Sequence, residues 1–373
     1  MSTFARIPAL DGVRGLAALM VLFCHFWFWD VWKGRWWYEV AHSGWLGVDL
    51  FFVLSGFLIT GILLDTKGKT NYFREFYRRR VLRIFPLYYF ALLLSVFSIL
   101  VIDRRPANLF SGYDSLTWFL TFLPNVAIAL KNDWLYQTNW VGLSHLWSLA
   151  VEEQFYLVWP LVVLVLPRKA LALLCGVVVF AGYYFRVWTD GAFGQQWALG
   201  SYVLPYCRMD GLAAGGLLAV SARLGWLTFR GWQHVVARDF TFLCGMGTLY
   251  LLVAGNSHWR GTLVALMFMG FVSLALSPES RIQRWCQAGW LRHFGQYSYA
   301  LYVFHQMFLV GYWAIFREPM VAAGLPMWLV QILYHLLAFG ATYGLARLSW
   351  RFIEKPFLDR KVRNNDKERD GQD

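Results

Sequence analysis

Charge is scarce in this sequence: only 15% of its 373 residues are Asp, Glu, Lys or Arg, whereas 58% are hydrophobic. That balance excludes a disordered chain and does not suit a soluble domain. Cysteine is equally sparse. Cys24, Cys175, Cys207, Cys244 and Cys286 show no CxxC spacing, which argues against a disulfide framework and against a zinc site. No internal repeat and no substantial soluble domain stands out. The formal charge of +12 does not imply a nucleic-acid partner, because the basic residues fall between apolar runs and form no aromatic-interleaved patch. A removable signal peptide is not expected either: only Arg6 and Arg14 precede a full-length apolar run, and no small-residue cleavage site follows.

What is abundant is apolar and aromatic sequence, with 21 Trp, 19 Tyr and 31 Phe, the interfacial signature of a membrane protein. The expected fold class is all-α, a polytopic integral membrane helix bundle of about ten transmembrane helices whose partner is the lipid bilayer. Spans are expected over 15–32, 46–64, 86–102, 146–166, 170–187, 203–220, 240–255, 261–277, 297–316 and 327–349. Segment 116–130 is short and broken by Pro124 and Asn125, and reads as an interfacial or re-entrant piece of an outer loop. Charge fixes the orientation. With ten spans, 24 of the 34 Lys and Arg fall on one side together with both termini, which makes that side cytoplasmic. Counting 116–130 as a span would put the basic stretches 67–83 and 351–373 on opposite sides. Residues 1–358 form the expected membrane domain and 359–373 a charged cytoplasmic tail, expected to be disordered.

Several polar residues fall where lipid should be. His25 lies in the otherwise apolar run GLAALMVLFCHFWFW (15–29), and an ionisable group inside a bilayer is a functional-site hypothesis by default. Eleven residues of helix climb about 16 Å and return to within about 20° of the starting direction, so Arg14 at the entrance and His25 near mid-membrane share one face. The plainer alternative is a histidine that bonds a neighbouring helix. Glu152 and Glu153 in SHLWSLAVEEQFYLVWP are expected at a similar depth, where one carboxylate would orient the imidazole or the pair would hold helices together. Asp49 and Ser55, Arg208 and Asp210, and His305 are further candidates for contacting a polyhydroxylated acyl acceptor or supporting the site; Arg208 and Asp210 would otherwise pair with each other. In FYRRRVLRIFP, at the expected mouth of the third span, Arg80 and Arg83 are three apart and suited to gripping phosphates, although any polytopic protein carries such a cluster for topology.

IPALDGVRGLAALMVLFCHF, GVDLFFVLSGFLIT, RRRVLRIFPLYY, HLWSLAVEEQFYLVWP, SYALYVFHQ and FIEKP together resemble, in order, the acyltransferase 3 family of integral membrane O-acyltransferases. The resemblance implies cytoplasmic acyl-coenzyme A, with acetyl as the usual group, as donor substrate; no permanently bound cofactor and no metal are expected. It implies a hydroxyl of a carbohydrate, lipid-linked sugar or glycosylated small molecule as acyl acceptor, and a multi-pass protein of the bacterial inner membrane. The family's arginine-x10-histidine motif falls on Arg14 and His25, its arginine pair on Arg80 and Arg83, and its glutamate motif on Glu152 and Glu153. His25 would act as base or as transient acyl carrier; Cys24, pointing about 100° away, is a poor thiol carrier. Many relatives carry an appended extracytoplasmic esterase-like domain. This sequence ends soon after FIEKPF, so any selection by such a domain is expected to be missing or done by loops. The rival class is a transporter or flippase for acyl groups or lipid-linked sugars, which midplane polar residues would also suit.

Overall fold

The computed structural model describes residues 7–27, 38, 42–102, 112, 114–135, 140–194, 199–254 and 258–359, and among these there is no β-strand. Ten helices of 18 to 26 residues dominate: α1 (Pro8–His25), α2 (Gly47–Thr66), α3 (Tyr72–Phe97), α4 (Trp147–Val165), α5 (Arg168–Phe193), α6 (Pro205–Arg223), α7 (Trp232–Ala254), α8 (His258–Leu276), α9 (Gly289–Met307) and α10 (Met327–Ser349). Prolines mark several starts, at the first turn of α1 and α6 and just before α10, where a missing N–H leaves no helical bond unmade. The protein is an all-helical polytopic membrane bundle. Among the described residues eight segments are long and apolar enough to cross a bilayer, and a ninth is obtained if α9 and its continuation Leu309–Ala322, bent by 66°, count as one. α6 has the length but, with Arg208 and Asp210 inside it, is not one of these segments.

Three shifted boundaries bear on the site. α1 ends at His25 instead of running to 32, so the imidazole stands at a helix end and not in a helix interior. α3 begins at Tyr72, fourteen residues before the expected start, which puts the arginine cluster on the helix itself. α9 begins at Gly289, and His305 is therefore about 24 Å along its axis, at the far end instead of midway. Segment 116–130 forms two short helices, Leu116–Leu120 and Pro124–Lys131, tied to α4 by reciprocal amide bonds between Asn125 and Gln154. The charged tail from residue 360 onward lies outside the described residues.

Close backbone approach sets the packing. α1 packs most heavily on α9, and α6 on α2 and α5. At the first crossing a Cβ on Gly295 would stand 1.8 Å from the Asp11 carbonyl oxygen, and at the second a Cβ on Gly56 would stand 1.9 Å from that of Leu212. Neither position admits any larger residue without separating the helices. α4 contains Pro160, and near it the Tyr77 and Tyr72 hydroxyls donate to the carbonyls of Leu157 and Pro160. Outward, α5 and α7 present exposed apolar side chains such as Leu173, Phe180, Phe242 and Val253, as a lipid-facing wall requires.

Candidate active site

Two cavities face each other along the bundle axis. The first, of about 650 Å³, opens at the end where α1, α3 and α9 begin and where the chain leaves α10; Leu10, Arg14, Arg80, Arg83, Gln296 and Leu358 contribute to its lining. The second, of about 770 Å³, lies at the opposite end, lined by His25, His145, His305, Trp45, Tyr202 and Arg260 among others. Val48 and Tyr302 line both. They are the partition.

In the first cavity the arginines divide into two kinds. Glu75 takes a bidentate bond from Arg78 (3.0 Å each) and a short bond from Arg79, so these two are neutralised on their own helix. Arg80 and Arg83 have no ion pair among the described residues; the Arg80 guanidinium lies over the Tyr156 ring at 5.8 Å, and its Nε is buried without a partner. Arg14 reaches them from α1, its nearest carboxylate being that of Asp11 at 3.8 Å, beyond hydrogen-bond range. Three guanidiniums thus converge on one space with their hydrogen-bonding capacity largely free. That is the donor set for a polyanion.

Glu152 also lines this first cavity. Tyr156 donates to its Oε2 at 3.2 Å, and Ser55 bonds the Tyr156 hydroxyl in turn. Glu153 lines neither cavity, and its Oε1 is buried without a partner. The expected contact of a glutamate with His25 is not made. Glu152 lies about 20 Å from the terminal end of α4, whereas His25 lies about 26 Å from the start of α1, and the glutamate side chain is turned to the arginines. Glu354, on the π-turn Trp350–Glu354, joins Asp11, Asp65 and Glu152 in the acidic lining, with Ser349 donating to it at 3.2 Å.

In the second cavity three imidazoles cluster. The rings of His25 and His305 are 4.9 Å apart and those of His145 and His305 5.3 Å, both edge to face. Each ring bonds a backbone carbonyl: His25 Nδ1 to Val21 (2.8 Å), His305 Nδ1 to Tyr302 (2.6 Å) and His145 Nε2 to Val303 (3.0 Å). A carbonyl only accepts, so each of those nitrogens carries the hydrogen, and in the neutral ring the other nitrogen is a bare lone pair. The free nitrogens of His145 and His305 are sealed from the cavity, while that of His25 is not among the sealed atoms. Among the described residues no group of His, Cys, Asp or Glu is arranged to hold a metal ion. In its neutral form His25 thus presents Nε2 as an acceptor, its tautomer fixed by its own helix.

Tyr302 holds the partition in place. Its hydroxyl donates to the His145 carbonyl at 2.8 Å and accepts from Ser148 Oγ at 2.6 Å. Asp49, Arg208 and Asp210 line neither cavity. Arg208 pairs with Asp49 at 2.8 Å, and Asp210 pairs with Arg186 at 2.8 Å, so the expected Arg208–Asp210 pairing does not form. Arg186 also donates to the carbonyls of Cys207 and His258 and to Thr262. These charges fasten α2, α5, α6 and α8 together. Arg208 acts on the second cavity only from behind, its guanidinium over the rings of Tyr202 (5.0 Å) and Trp147 (5.7 Å).

Five residues of this arrangement escape the sequence reading: His145, Tyr156, Tyr302, Arg260 and Glu354. His145, Tyr156, Tyr302 and Glu354 stand inside the quoted motifs HLWSLAVEEQFYLVWP, SYALYVFHQ and FIEKP, beside residues that were singled out. Arg260, in the first turn of α8, carries no such signal.

The family model described as an acyltransferase domain, Acyl_transf_3, matches residues 7–347. Curated proteins similar to the chain include the peptidoglycan O-acetyltransferase OatA of Listeria monocytogenes (27% identical, over 94% of this chain and 55% of that protein) and the O-acetyltransferase OatA of Staphylococcus aureus (27%, 94% and 57%). The putative peptidoglycan O-acetyltransferase YrhL of Bacillus subtilis is 28% identical over 96% of this chain and 56% of its own length. The chain therefore spans about half the length of these relatives. No solved structure matches it. With a family model covering nearly the whole bundle, the chain belongs to the acyltransferase 3 family.

Proposed function

We propose that the protein is a membrane O-acyltransferase that moves an acetyl group from acyl-coenzyme A, entering at the cytoplasmic end, to a saccharide hydroxyl at the opposite end. The observation that carries this reading is the back-to-back pair of cavities, one with three convergent guanidiniums, two of them without an ion pair among the described residues, and the other with an imidazole whose tautomer is fixed, divided by two side chains. The positive-inside bias supports a cytoplasmic terminal end, and the proposed setting is the inner membrane of a bacterium. Arg14, Arg80 and Arg83 grip the phosphates of coenzyme A, and its pantetheine arm extends toward Val48 and Tyr302 with the thioester leading.

At the partition the chemistry is a single exchange. His25 Nε2 removes the proton of the acyl acceptor's hydroxyl as the oxygen attacks the thioester carbonyl; the C–S bond then breaks, and the imidazolium returns the proton to the departing thiolate. Nothing else is consumed. Glu152, held by Tyr156 and Ser55 among the arginines, fits a role in ordering the donor cavity and not in orienting His25. The relatives' names, peptidoglycan O-acetyltransferases, support a cell-envelope carbohydrate as acyl acceptor.

The test uses the full chain in proteoliposomes with labelled acetyl-coenzyme A outside and an envelope-glycan extract inside, and the reverse arrangement. Label appearing on the glycan as an ester supports the reading. Passage of glycan or acetyl across the bilayer without ester formation would replace it with a transporter.

A further inference from the structure

We infer that the histidine cavity is built for an anionic saccharide, with Arg260 receiving the negative group. The inference rests on the acyltransferase reading and narrows its acyl acceptor. Its walls include Trp27, Trp45, Trp134, Trp147 and Trp313, flat apolar faces of the kind on which pyranose rings stack. The formal charges in the lining, among the described residues, are Arg260 and Arg317 alone; no Asp or Glu contributes. A pocket for a neutral sugar needs no fixed positive charge in its wall, and holding one there without a counter-ion is costly in a low-dielectric site.

Arg260 is the decisive residue. It sits in the first turn of α8, its guanidinium stacked on the Trp45 ring at 5.1 Å, and among the described residues it has no hydrogen bond or ion pair. The nearby carboxylates are already engaged, Asp49 by Arg208 and Asp210 by Arg186. Those two pairs cancel, and the charge of Arg260 remains over for a ligand. Stacking on Trp45 leaves the edge of the guanidinium, the bidentate fork, to meet a carboxylate or phosphate. The bare lone pair of His25 accepts from the sugar hydroxyl in the same cavity. One saccharide then makes both contacts, anion to Arg260 and reacting hydroxyl to His25. The negative group is a carboxylate on the sugar or a phosphate linking it to a carrier.

Binding to the full-length protein in nanodiscs, without acyl-coenzyme A, tests this by saturation-transfer NMR titration with methyl glucuronide, glucose 1-phosphate and methyl glucoside. At least one anionic probe is expected to bind tenfold or more tighter than methyl glucoside. The preference is expected to vanish in Arg260→Gln, to persist in part in Arg260→Lys and to shrink with added salt. Preference for the glucuronide assigns a sugar carboxylate, and preference for glucose 1-phosphate assigns a phosphate. Equal binding of all three probes, no binding by either anionic probe, or a preference unchanged in Arg260→Gln overturns the inference. The two readings fail separately: a protein that prefers anionic sugars yet forms no ester refutes the transferase, and one that acylates methyl glucoside as fast as the glucuronide refutes the anionic site.

Discussion

His25 and His305 meet edge to face with ring centroids 4.9 Å apart, each holding its hydrogen on Nδ1 through a bond to a backbone carbonyl. Two neutral imidazoles in that relation cannot both take a proton cheaply, since a second positive charge at this distance is repelled in a low-dielectric site. Under the proposed reading one base serves, and it is His25, because the free nitrogens of His145 and His305 are sealed. His25→Ala is expected to lower turnover by about 10² to 10⁴, the usual weight of general-base catalysis. Donor binding and insertion should persist, because the residue ends its helix and the arginines are untouched. Full turnover in His25→Ala with an inactive His305→Ala would move the base to α9.

The division among the arginines gives a sharper test than removing the cluster. Arg78 and Arg79 share Glu75, while Arg80 and Arg83 have no ion pair among the described residues. Replacing Arg80 and Arg83 together by Gln should weaken acyl-coenzyme A binding by about a hundredfold, as expected for two charge-assisted contacts of about 1.5–3 kcal/mol each with partial compensation. Replacing Arg78 and Arg79 by Gln should change affinity severalfold at most. Isothermal titration with a non-hydrolysable acyl-coenzyme A analogue reads both, and equal losses in the two double variants would reduce the cluster to a topology signal.

The bundle and its ten helices were legible because apolar runs and basic loops are properties of one segment at a time. The helix ends were not: nothing in FCHFWFW marks His25 as the last helical residue, since Phe26 and Trp27 stand where a glycine or asparagine would announce an end. Arg14, Arg80, Arg83 and His25 could be singled out because each is a costly group in an apolar context. Their grouping into two cavities was hidden, since it depends on how helices far apart in sequence are set side by side. Glu152 illustrates this. Depth along the helix suggested a partner for His25, yet rotation about the axis turns its carboxylate to Tyr156 and the arginine cavity. Ion pairing fails for the same reason: Arg208 and Asp210 lie two apart, point to different faces of α6, and find Asp49 and Arg186 on different helices.

Those two buried pairs bear on stability more than on chemistry. Arg208→Met leaves the Asp49 carboxylate almost fully buried without its cation, a change that costs about 3–5 kcal/mol in comparable sites. The variant is expected to melt well below the parent in detergent. Adding Asp49→Leu should restore much of the loss, because replacing both members by apolar groups removes the orphaned charge. If the double variant were no more stable than Arg208→Met alone, the pair would contribute through packing of the Arg208 stem on Tyr202 and Trp147 instead.

Tyr302 offers the last test, of the partition itself. Its ring and Val48 line both cavities, and its hydroxyl is held by the His145 carbonyl and Ser148. Removing the ring should join the two spaces, whereas removing only the hydroxyl should loosen the ring by about 1 kcal/mol, the net worth of an ordinary hydrogen bond. Ser55→Cys provides a probe, because Ser55 lines only the first cavity. In a Cys24→Ser background, which removes the thiol lining the second cavity, a membrane-impermeant thiol reagent added from the side opposite the termini should leave the Ser55→Cys protein unlabelled. Adding Tyr302→Ala should make the same position react from that side, and adding Tyr302→Phe should raise the labelling rate only slightly. Tyr302→Ala should also admit water to the thioester, so acetyl-coenzyme A hydrolysis without acyl acceptor should rise while transfer falls. Labelling that is as fast with Tyr302 present would mean that the cavities are already continuous and that Tyr302 serves to position His145 and His305, not to divide them.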